Sequence, residues 1–330
     1  MKHSILVLGP LLALGCKDKE VGDGSEQPSV TDTGWFTGET PNCTATVSLT
    51  EPAADEGGWF WRDAPRVFVT ESDTAGFTAV LTGPTGEIVP TEIVWGTGLD
   101  FHVTFDGGLE PDADHVLEVT DCSGTTEVPF HTGTYGMPVT GGASSLSGNT
   151  YQLDLVGAEW VQPSGLGPLL VGFFTTPILL GVSFADDDFI DLLGAPGFTD
   201  VDGELQQDDS TETWDFPLVS FEQSPFVIAY SDNVVFEFSD VPIPIDDFGF
   251  ETTFSADGTS LGGTVINGVA DTRGLGVLLD DPDPNAICLL AETFGTYCIP
   301  CSDALPYCLV MEVRDVDGTL VSGLTLHTVD

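Results

Sequence analysis

The feature that most constrains the fold of this chain is a succession of short apolar runs with a period of two. In one such run, Phe101, Val103 and Phe105 alternate with His102 and Thr104. This alternation is typical of a strand with one buried face, because successive side chains point to opposite sides of a sheet. Similar runs recur along the chain, separated by Gly, Pro, Asp and Asn. We therefore predict an all-β protein.

The spacing of these runs predicts two β domains. Seven runs fall within residues 41–135 and indicate an immunoglobulin-like (Ig-like) β-sandwich. Residues 136–147 are rich in Gly and Ser and are predicted to be a linker. Residues 148–330 are predicted to form a larger β-sandwich or β-barrel of about eight to ten strands, with one short helix over 285–294. The seven runs of the first domain are 44–50, 66–71, 77–82, 87–95, 99–106, 116–120 and 126–131.

The end of the first domain resembles a known family. Leu109 and Pro111 precede His115, which opens an alternating strand, and Gly133 follows the last run. This pattern resembles the closing strands of SbsA-type bacterial Ig-like domains, in which a leucine-x-proline turn precedes a tyrosine. His115 stands at the position of that tyrosine. The resemblance implies a spacer or adhesive architecture and implies no chemistry.

Turn and edge signals organise the larger domain. Asp257-Gly258 and Asp317-Gly318 are flanked by strand-like runs, so we predict a hairpin turn at each. Pro242 and Pro244 predict an edge strand or a loop, because proline cannot donate to a strand ladder.

One uncharged stretch, residues 166–185, is long enough to suggest a membrane span. Pro168 and Pro177, several glycines and two threonines interrupt it, so we predict two buried strands joined by a turn instead. An exposed apolar patch or a ligand cavity is the functional alternative.

The N-terminus has the layout of an export signal. A positive residue precedes a short apolar core at Ile5 to Leu14, which is too short to anchor in a bilayer. Cys16 follows a small residue, and this resembles the bacterial lipobox, in which the cysteine is acylated. We predict a signal peptide over 1–15, a lipid bilayer contact through acylated Cys16, and a disordered acidic tether over 16–40. The alternative is an ordinary signal peptide followed by an unmodified cysteine.

The charge balance excludes several partners. The chain has 53 acidic and 7 basic residues, for a net charge of −46. Nucleic acid binding requires phosphate neutralisation and is therefore excluded, as is electrostatic docking on anionic lipid.

We expect a lipoprotein of the outer or cytoplasmic membrane, with its folded part outside the cytoplasm. Its partner is expected to be an unknown component of the bacterial envelope or the medium.

The cysteines support export. An even number remains after Cys16, and in an exported chain this favours three disulfides. In an Ig-like topology the start of the first strand lies near the end of the sixth. A bridge between Cys43 and Cys122 is therefore reasonable, and in the chain-entropy model it contributes about 4 kcal/mol.

The remaining cysteines, Cys288, Cys298, Cys301 and Cys308, are predicted to form two disulfides. Three pairings are possible, and we disfavour Cys298–Cys301 because so small a ring is strained. A redox pair at Cys298 and Cys301, or a zinc site, is the alternative.

No catalytic constellation is evident. Gly258 to Gly262 matches the G-x-S-x-G motif, but Ser260 follows a hairpin signal and precedes a strand, whereas a nucleophile elbow opens a helix. A metal site at His102, His115 and His131 is unsupported by their spacing.

Acidic clusters are common, and none matches the calcium loop of an EF-hand. The weak candidates for Ca²⁺ are Asp200, Asp202, Asp315 and Asp317, and no other cofactor is expected.

We predict a non-catalytic binding, adhesion or spacer protein. The first alternative is a binder of a small apolar or carbohydrate ligand in the larger domain, which would show an apolar-lined cavity. The second is a carboxylate-based hydrolase, which would show acidic side chains converging in one cleft.

Overall fold

The computed structural model describes residues 45–71, 77–96, 98–167, 176–238 and 241–329, with the side chains of 237 and 238 excepted. The predicted signal peptide, Cys16, the tether and Cys43 lie outside the described residues. All the described residues belong to one compact unit. The protein is all-β, as predicted, with a few short helices.

Nine strands form an Ig-like sandwich, which confirms the prediction for this region. One sheet has the order β1-β3-β7-β6 and the other the order β2-β9-β8-β4-β5. Strand β2 contains two glycines and gave no strand signal, yet it pairs in parallel with β9. The strands are β1 (Val47–Glu51), β2 (Glu56–Trp59), β3 (Arg66–Val69), β4 (Thr78–Thr82), β5 (Ile88–Val89), β6 (Glu92–Trp95), β7 (Asp100–Thr104), β8 (Asp114–Asp121) and β9 (Gly124–Thr132).

His115 links the start of β8 to the backbone just before it. Its ring is buried and stacks on Phe130, with the ring centroids 5.5 Å apart. Its Nε2 lies 3.0 Å from the carbonyl oxygen of Glu110, five residues upstream. A tyrosine corner makes the same bond to upstream backbone. The imidazole therefore anchors the start of β8 as a phenol would.

Ten further strands form one large sheet. Its order is β14-β13-β12-β10-β19-β18-β17-β16, with β11 also paired to β19 and β15 to β13. The strands are β10 (Thr150–Asp154), β11 (Glu159–Gln162), β12 (Ile178–Ala185), β13 (Phe189–Thr199), β14 (Leu205–Gln207), β15 (Trp214–Ser220), β16 (Phe226–Phe238), β17 (Val241–Phe254), β18 (Ser260–Asp271) and β19 (Cys308–Leu320).

The large sheet curls into a half-barrel, and contacts between its two ends show this curl. Trp214 of β15 donates a hydrogen bond from Nε1 to the carbonyl of Val235 in β16, at 3.1 Å. Its ring also packs against Phe236, with centroids 4.5 Å apart. Aromatic residues fill the interior, and Phe216, Phe250 and Phe236 are all buried. The buried side chains of β16 and β17, among them Phe236 and Phe250, therefore form the inward face of this curl.

The segment predicted as a linker contributes to the larger core. It contains a short 3-10 helix, Ala143–Leu146, and Val139 and Leu146 are buried among the residues of the half-barrel. The sandwich has its own separate core. The described chain thus has two large hydrophobic cores and one small buried cluster, at Leu179, Leu193, Ala195 and Leu326, within one compact unit. The exact domain boundaries stay a prediction.

The two predicted hairpin turns have different outcomes. Asp257-Gly258 forms the turn between β17 and β18, where Gly258 has a φ of +68°. The prediction at Asp317-Gly318 was wrong, because both residues lie within β19. There Gly318 serves close packing: a Cβ at this position would lie 2.8 Å from Leu261. Glycine is needed at the first site for its dihedral angles and at the second for its missing side chain.

The prolines of β17 fit their predicted edge role. Pro242 and Pro244 pair only with β16, because β18 joins β17 from Ile245 onward.

In the uncharged stretch 166–185, the second half forms the buried strand β12, and residues 168–175 lie outside the described part. Among the described residues, no helix is long and apolar enough to cross a membrane.

The end of the large sheet is covered by helices and disulfides. A 3-10 helix, Arg273–Leu279, precedes α1, Ala286–Thr293, which confirms the predicted helix within one residue at each end. Disulfides join Cys288 to Cys298 and Cys301 to Cys308, so the disfavoured Cys298–Cys301 pairing does not form. Cys122 is also disulfide-bonded. Its predicted partner Cys43 lies outside the described residues.

Candidate functional site

The segment between β2 and β3 joins the sandwich to the large sheet. Phe60 packs against Tyr135 and fills the space above Gly263, where any Cβ would clash with its ring. Trp61 packs edge-on against Phe226, with centroids 6.5 Å apart, and its Nε1 lies 3.4 Å from the hydroxyl of Thr253. Two consecutive aromatic residues in a loop would be costly if exposed. Here the contact with the large sheet buries part of Phe60 and Trp61.

A groove runs along this junction, and we call it the junction groove. It encloses about 440 Å³ and has walls from both parts of the protein. Its sandwich wall comes from β1, β2, β3 and β7, and its other wall comes from β11, β17, β18 and β19. The lining residues are Glu51, Trp59, Arg62, Asp63, Ala64, Arg66, His102, Glu159, Glu251, Gly263, Val265, Arg314 and Asp315.

The junction groove collects most of the arginines. Four arginines occur in the described part of the chain, and Arg62, Arg66 and Arg314 line this groove. The fourth, Arg273, pairs with Asp271 and Asp303 at the disulfide-bonded end of the large sheet. In a chain with 7 basic residues out of 330, such a concentration is the strongest compositional signal of a site.

Each arginine is held in a different way. The guanidinium of Arg62 lies over the ring of Phe226, 3.7 Å from its centroid, in a cation–π contact. Arg66 donates from Nε to Asp100 at 2.8 Å. Arg314 donates from Nε to Glu312 at 2.7 Å. The guanidiniums are therefore positioned before any ligand arrives.

The buried carboxylate of Asp100 orients two groove residues at once. Its side chain is only 8% exposed, and one of its oxygens accepts the bond from Arg66. The same oxygen lies 3.7 Å from Nε2 of His102. A buried carboxylate requires such partners, so Asp100 and Arg66 fix each other's positions.

Asp63 is the most perturbed carboxyl group of the junction groove. Partial burial, then the negative charges of Asp315 and Glu251, raise its pKa to about 6, and Arg314 opposes this shift. Asp63 stays accessible to solvent from the groove. Its pKa is therefore raised by enclosure between the two walls and not by complete burial. Near neutral pH the groove thus holds a carboxyl group that gains or loses its proton readily.

Asp63 also belongs to the frame of the groove. Its backbone carbonyl accepts a hydrogen bond from Trp59 Nε1 at 3.0 Å. The other ring edge of Trp59 meets Phe130 of the sandwich core at a steep angle. The indole is therefore held rigidly on the wall of the groove.

The two acidic segments that are weak candidates for Ca²⁺ have different surroundings. Asp200 caps its own turn, accepting the N–H groups of Asp202 and Glu204 at 2.9 Å each. Asp315 lies on a kink in β19, with a φ of +52°, and lines the junction groove. Asp317 pairs instead with Asp154 in the neighbouring strand. Burial and the charges of Asp154 and Asp315 raise the pKa of Asp317.

One group of potential metal ligands occurs in the described residues, at Asp271, Cys301 and Cys308. Both cysteines are consumed by their disulfide, and Asp271 is bonded to Arg273. This group therefore offers no thiolate to a zinc ion, and its one carboxylate is already engaged.

The remaining candidate residues have structural roles. Ser260 begins β18, and its hydroxyl lies 3.0 Å from that of Tyr135, with no helix following it. His131 lies between Asp114 and Asp112, at 2.8 and 3.3 Å, and these bonds raise its pKa. His102 alone among the candidate histidines lines the junction groove.

Sequence reasoning missed the groove residues Arg62, Arg66, Asp63 and Glu251. A usable signal existed, because two arginines four positions apart beside three consecutive aromatic residues are exceptional in so acidic a chain. The other wall could not be found in this way, since Glu251 is nearly two hundred residues distant in the sequence.

No protein-family model matches the chain, and no curated protein matches it. Any ligand of the junction groove is therefore inferred from the chemistry of the residues that line it.

Proposed function

We propose that the protein is an exported, lipid-anchored protein of the bacterial envelope that binds a saccharide, without catalysis, in the junction groove. The observation that carries this proposal is the collection of three of the four described arginines with five carboxylates in one groove. The acidic tether acts as a spacer that holds the groove away from the membrane, and the sandwich supplies one wall of the groove.

The mixture of charges favours an uncharged ligand rich in hydroxyl groups. Carboxylates outnumber guanidiniums in the groove, so an anion is disfavoured, as the raised pKa of Asp63 also indicates. Carboxylates only accept hydrogen bonds and guanidiniums only donate them. A hydroxyl group does both, so a sugar can bond to each kind of side chain in turn.

The wall of the groove supplies the apolar element that a sugar ring also needs. Trp59 is held rigidly there, and a fixed aromatic ring offers contact area at low entropic cost. The planar ends of Arg62 and Arg66 are likewise fixed before binding. A prearranged site loses less conformational entropy when its ligand binds.

The proposal is tested by titrating the purified protein with neutral hexasaccharides, namely cellohexaose, maltohexaose and chitohexaose, and recording NMR spectra. We expect at least one to shift the indole signal of Trp59 with saturation. Glu251→Gln and Arg314→Gln should each weaken binding by about tenfold, because each removes a charged hydrogen bond. The matched control, Glu222→Gln, alters an exposed glutamate outside the groove and should bind normally.

Two results would contradict this proposal. One is the absence of saturable shifts with all three sugars at millimolar concentration. The other is equal affinity of the groove variants and the Glu222→Gln control, which would place the ligand elsewhere.

Export and lipidation are tested separately by the mass of the intact protein from a bacterial membrane fraction. We expect the mass of residues 16–330 plus acyl chains on Cys16, and no free thiols. A chain that keeps residues 1–15, or that carries reduced cysteines, would contradict this part of the proposal.

A second candidate function, glycoside hydrolysis, is favoured by the pKa of Asp63. A carboxyl group with a pKa of about 6 can protonate a glycosidic oxygen as its bond to the sugar breaks. An ionised neighbour, Glu251 or Asp315, would take a proton from the attacking water or attack the sugar carbon itself. Both neighbours raise the pKa of Asp63, as a working pair of carboxylates requires.

The two functions are separated by the fate of the bound sugar. Mass spectrometry of the hexasaccharides after prolonged incubation at pH 5.5 should show intact sugar if the protein only binds. Fragments that disappear in Asp63→Asn would establish the hydrolase instead. Fragments that persist in that variant would indicate a contaminating enzyme.

A further inference from the structure

The end of the large sheet contains a second candidate site, which is apolar, whereas the junction groove is charged. This apolar cavity has a volume of about 140 Å³ and lies between the sheet, the 3-10 helix and α1. The ends of strands β17, β18 and β19 form its floor. The residues that line it are Trp160, Pro163, Leu166, Ile243, Ile245, Ala270, Thr272, Leu275, Leu278, Leu279, Ile287, Leu290, Leu309, Val310 and Met311.

The polar groups around the cavity are already bonded elsewhere. The hydroxyl of Thr272 donates to the carbonyl of Tyr307 at 2.6 Å. The indole N–H of Trp160 donates to the carbonyl of Leu155 at 3.2 Å. Water in a cavity needs two to four polar partners, and here it would find almost none. The cavity therefore disfavours water and favours apolar occupants.

The walls of the cavity are held in place by covalent bonds. Cys288 lies within α1 and is bonded to Cys298, which follows that helix. Cys308 begins β19 and is bonded to Cys301. Two disulfides on segments that face the cavity oppose its collapse. A core without such constraints would relax partly into an empty space of this size.

We propose that this cavity is a binding site for a small, uncharged, apolar molecule of about six to eight non-hydrogen atoms, such as an aromatic ring or a short branched alkyl group. The size follows from a benchmark: an engineered apolar cavity of about 150 Å³ stays dry and binds benzene or xenon. The site is independent of the junction groove, so neither proposal depends on the other.

The test uses benzene as the probe and the disulfide-bonded protein. We expect benzene to shift the methyl NMR signals of Ile287 and Leu309 with saturation, and to raise the melting temperature. Signals of the sandwich core, such as Leu117, should not move. Ala270→Leu places a larger side chain in the cavity and should weaken benzene binding by at least about tenfold.

Two further variants keep the test decisive. Ala270→Val adds less volume and replaces Ala270→Leu where the larger substitution prevents folding. Ala79→Leu is the matched control, because Ala79 is a half-buried alanine of the sandwich. It should leave benzene binding unchanged.

The proposal is overturned if benzene causes no saturable shift at its solubility limit. It is also overturned if Ala270→Leu and Ala270→Val both bind benzene as tightly as the parent protein, since the probe would then occupy another place.

Discussion

The sandwich and the half-barrel enclose their cores in different ways. In the sandwich, two short sheets cover each other, and the core is closed by strands together with the corner bond of His115. In the half-barrel, a single sheet curls around its aromatic residues, and its strands reach 14 residues in length. One end of that sheet has no opposing strands, so helices and two disulfides cover it.

This difference places the two candidate sites. A sandwich of two sheets leaves little internal space, and its contribution to the candidate sites is one wall of the junction groove. A curled sheet covered by helices leaves a space where strand packing and helix packing do not match. The apolar cavity lies at that mismatch, and the junction groove lies where the two architectures meet.

The largest effect is expected from deleting the centre of either core. Phe254→Ala in the half-barrel and Phe101→Ala in the sandwich remove side chains with no solvent exposure, and each should lower the free energy of unfolding by about 3–5 kcal/mol. Because the junction aromatics join the cores into one compact unit, we expect one unfolding transition in both variants. Urea denaturation followed by methyl NMR signals from each core measures this.

Two separate transitions, each moved by only one of these variants, would contradict this prediction. The sandwich and the half-barrel would then be independent domains that merely touch.

A smaller effect is expected from removing the disulfides of the half-barrel. The double variants Cys288→Ser/Cys298→Ser and Cys301→Ser/Cys308→Ser open loops with sequence separations of 10 and 7. In the chain-entropy model each should cost about 2–3 kcal/mol of stability. Thermal unfolding without reductant measures the loss. A cost near zero for both would show that helix packing alone closes the end of the sheet.

The corner bond of the sandwich should contribute less. His115→Phe keeps the stacking on Phe130 but loses the bond to the carbonyl of Glu110, which Thr132 also donates to at 2.7 Å. Because the carbonyl keeps one donor, we expect a loss of about 1 kcal/mol in the free energy of unfolding. His131→Phe, at a half-exposed histidine, is the control and should cost less. Equal losses in the free energy of unfolding for the two variants would show that the bond from His115 to the carbonyl of Glu110 does not stabilise the sandwich.

The smallest effect is expected for the pH dependence of the junction groove, because Asp63 is exposed there and solvent screens its charge. Asp63 has a folded-state pKa of about 6, against an ordinary value of 3.8. The folded protein therefore binds more protons than the unfolded chain between these values, and this group makes stability fall as pH rises through that window. Asp63→Asn should remove that contribution, whereas Asp202→Asn, on an exposed turn, should leave it unchanged.

NMR titration of the Asp63 carboxyl carbon gives the direct measurement. We expect its pKa to fall in Glu251→Gln, which removes a neighbouring negative charge, and to rise in Arg314→Gln, which removes a positive one. Shifts in the opposite directions would show that the two walls of the groove are not in electrostatic contact at Asp63.

Local patterns were sufficient where the determining residues are close in sequence. The alternation around Phe101, the helix before Gly295 and the turn at Asp257-Gly258 were all predictable, because period, caps and turn dihedrals act within a few residues. The absence of a Cys298–Cys301 disulfide followed equally from the strain of so small a ring.

The all-β class, the Ig-like sandwich, the helix α1 and the disulfide-rich end of the chain could thus be predicted from the residues alone. Three features required the folded chain: the place of Asp317-Gly318 inside a strand, the approach of Glu251 to Asp63, and the apolar cavity under α1. Each of them depends on which distant strands become neighbours. A glycine that avoids Leu261 cannot be distinguished in sequence from a glycine that makes a turn. The pKa of Asp63 likewise depends on charges brought to it by strands β17 and β19.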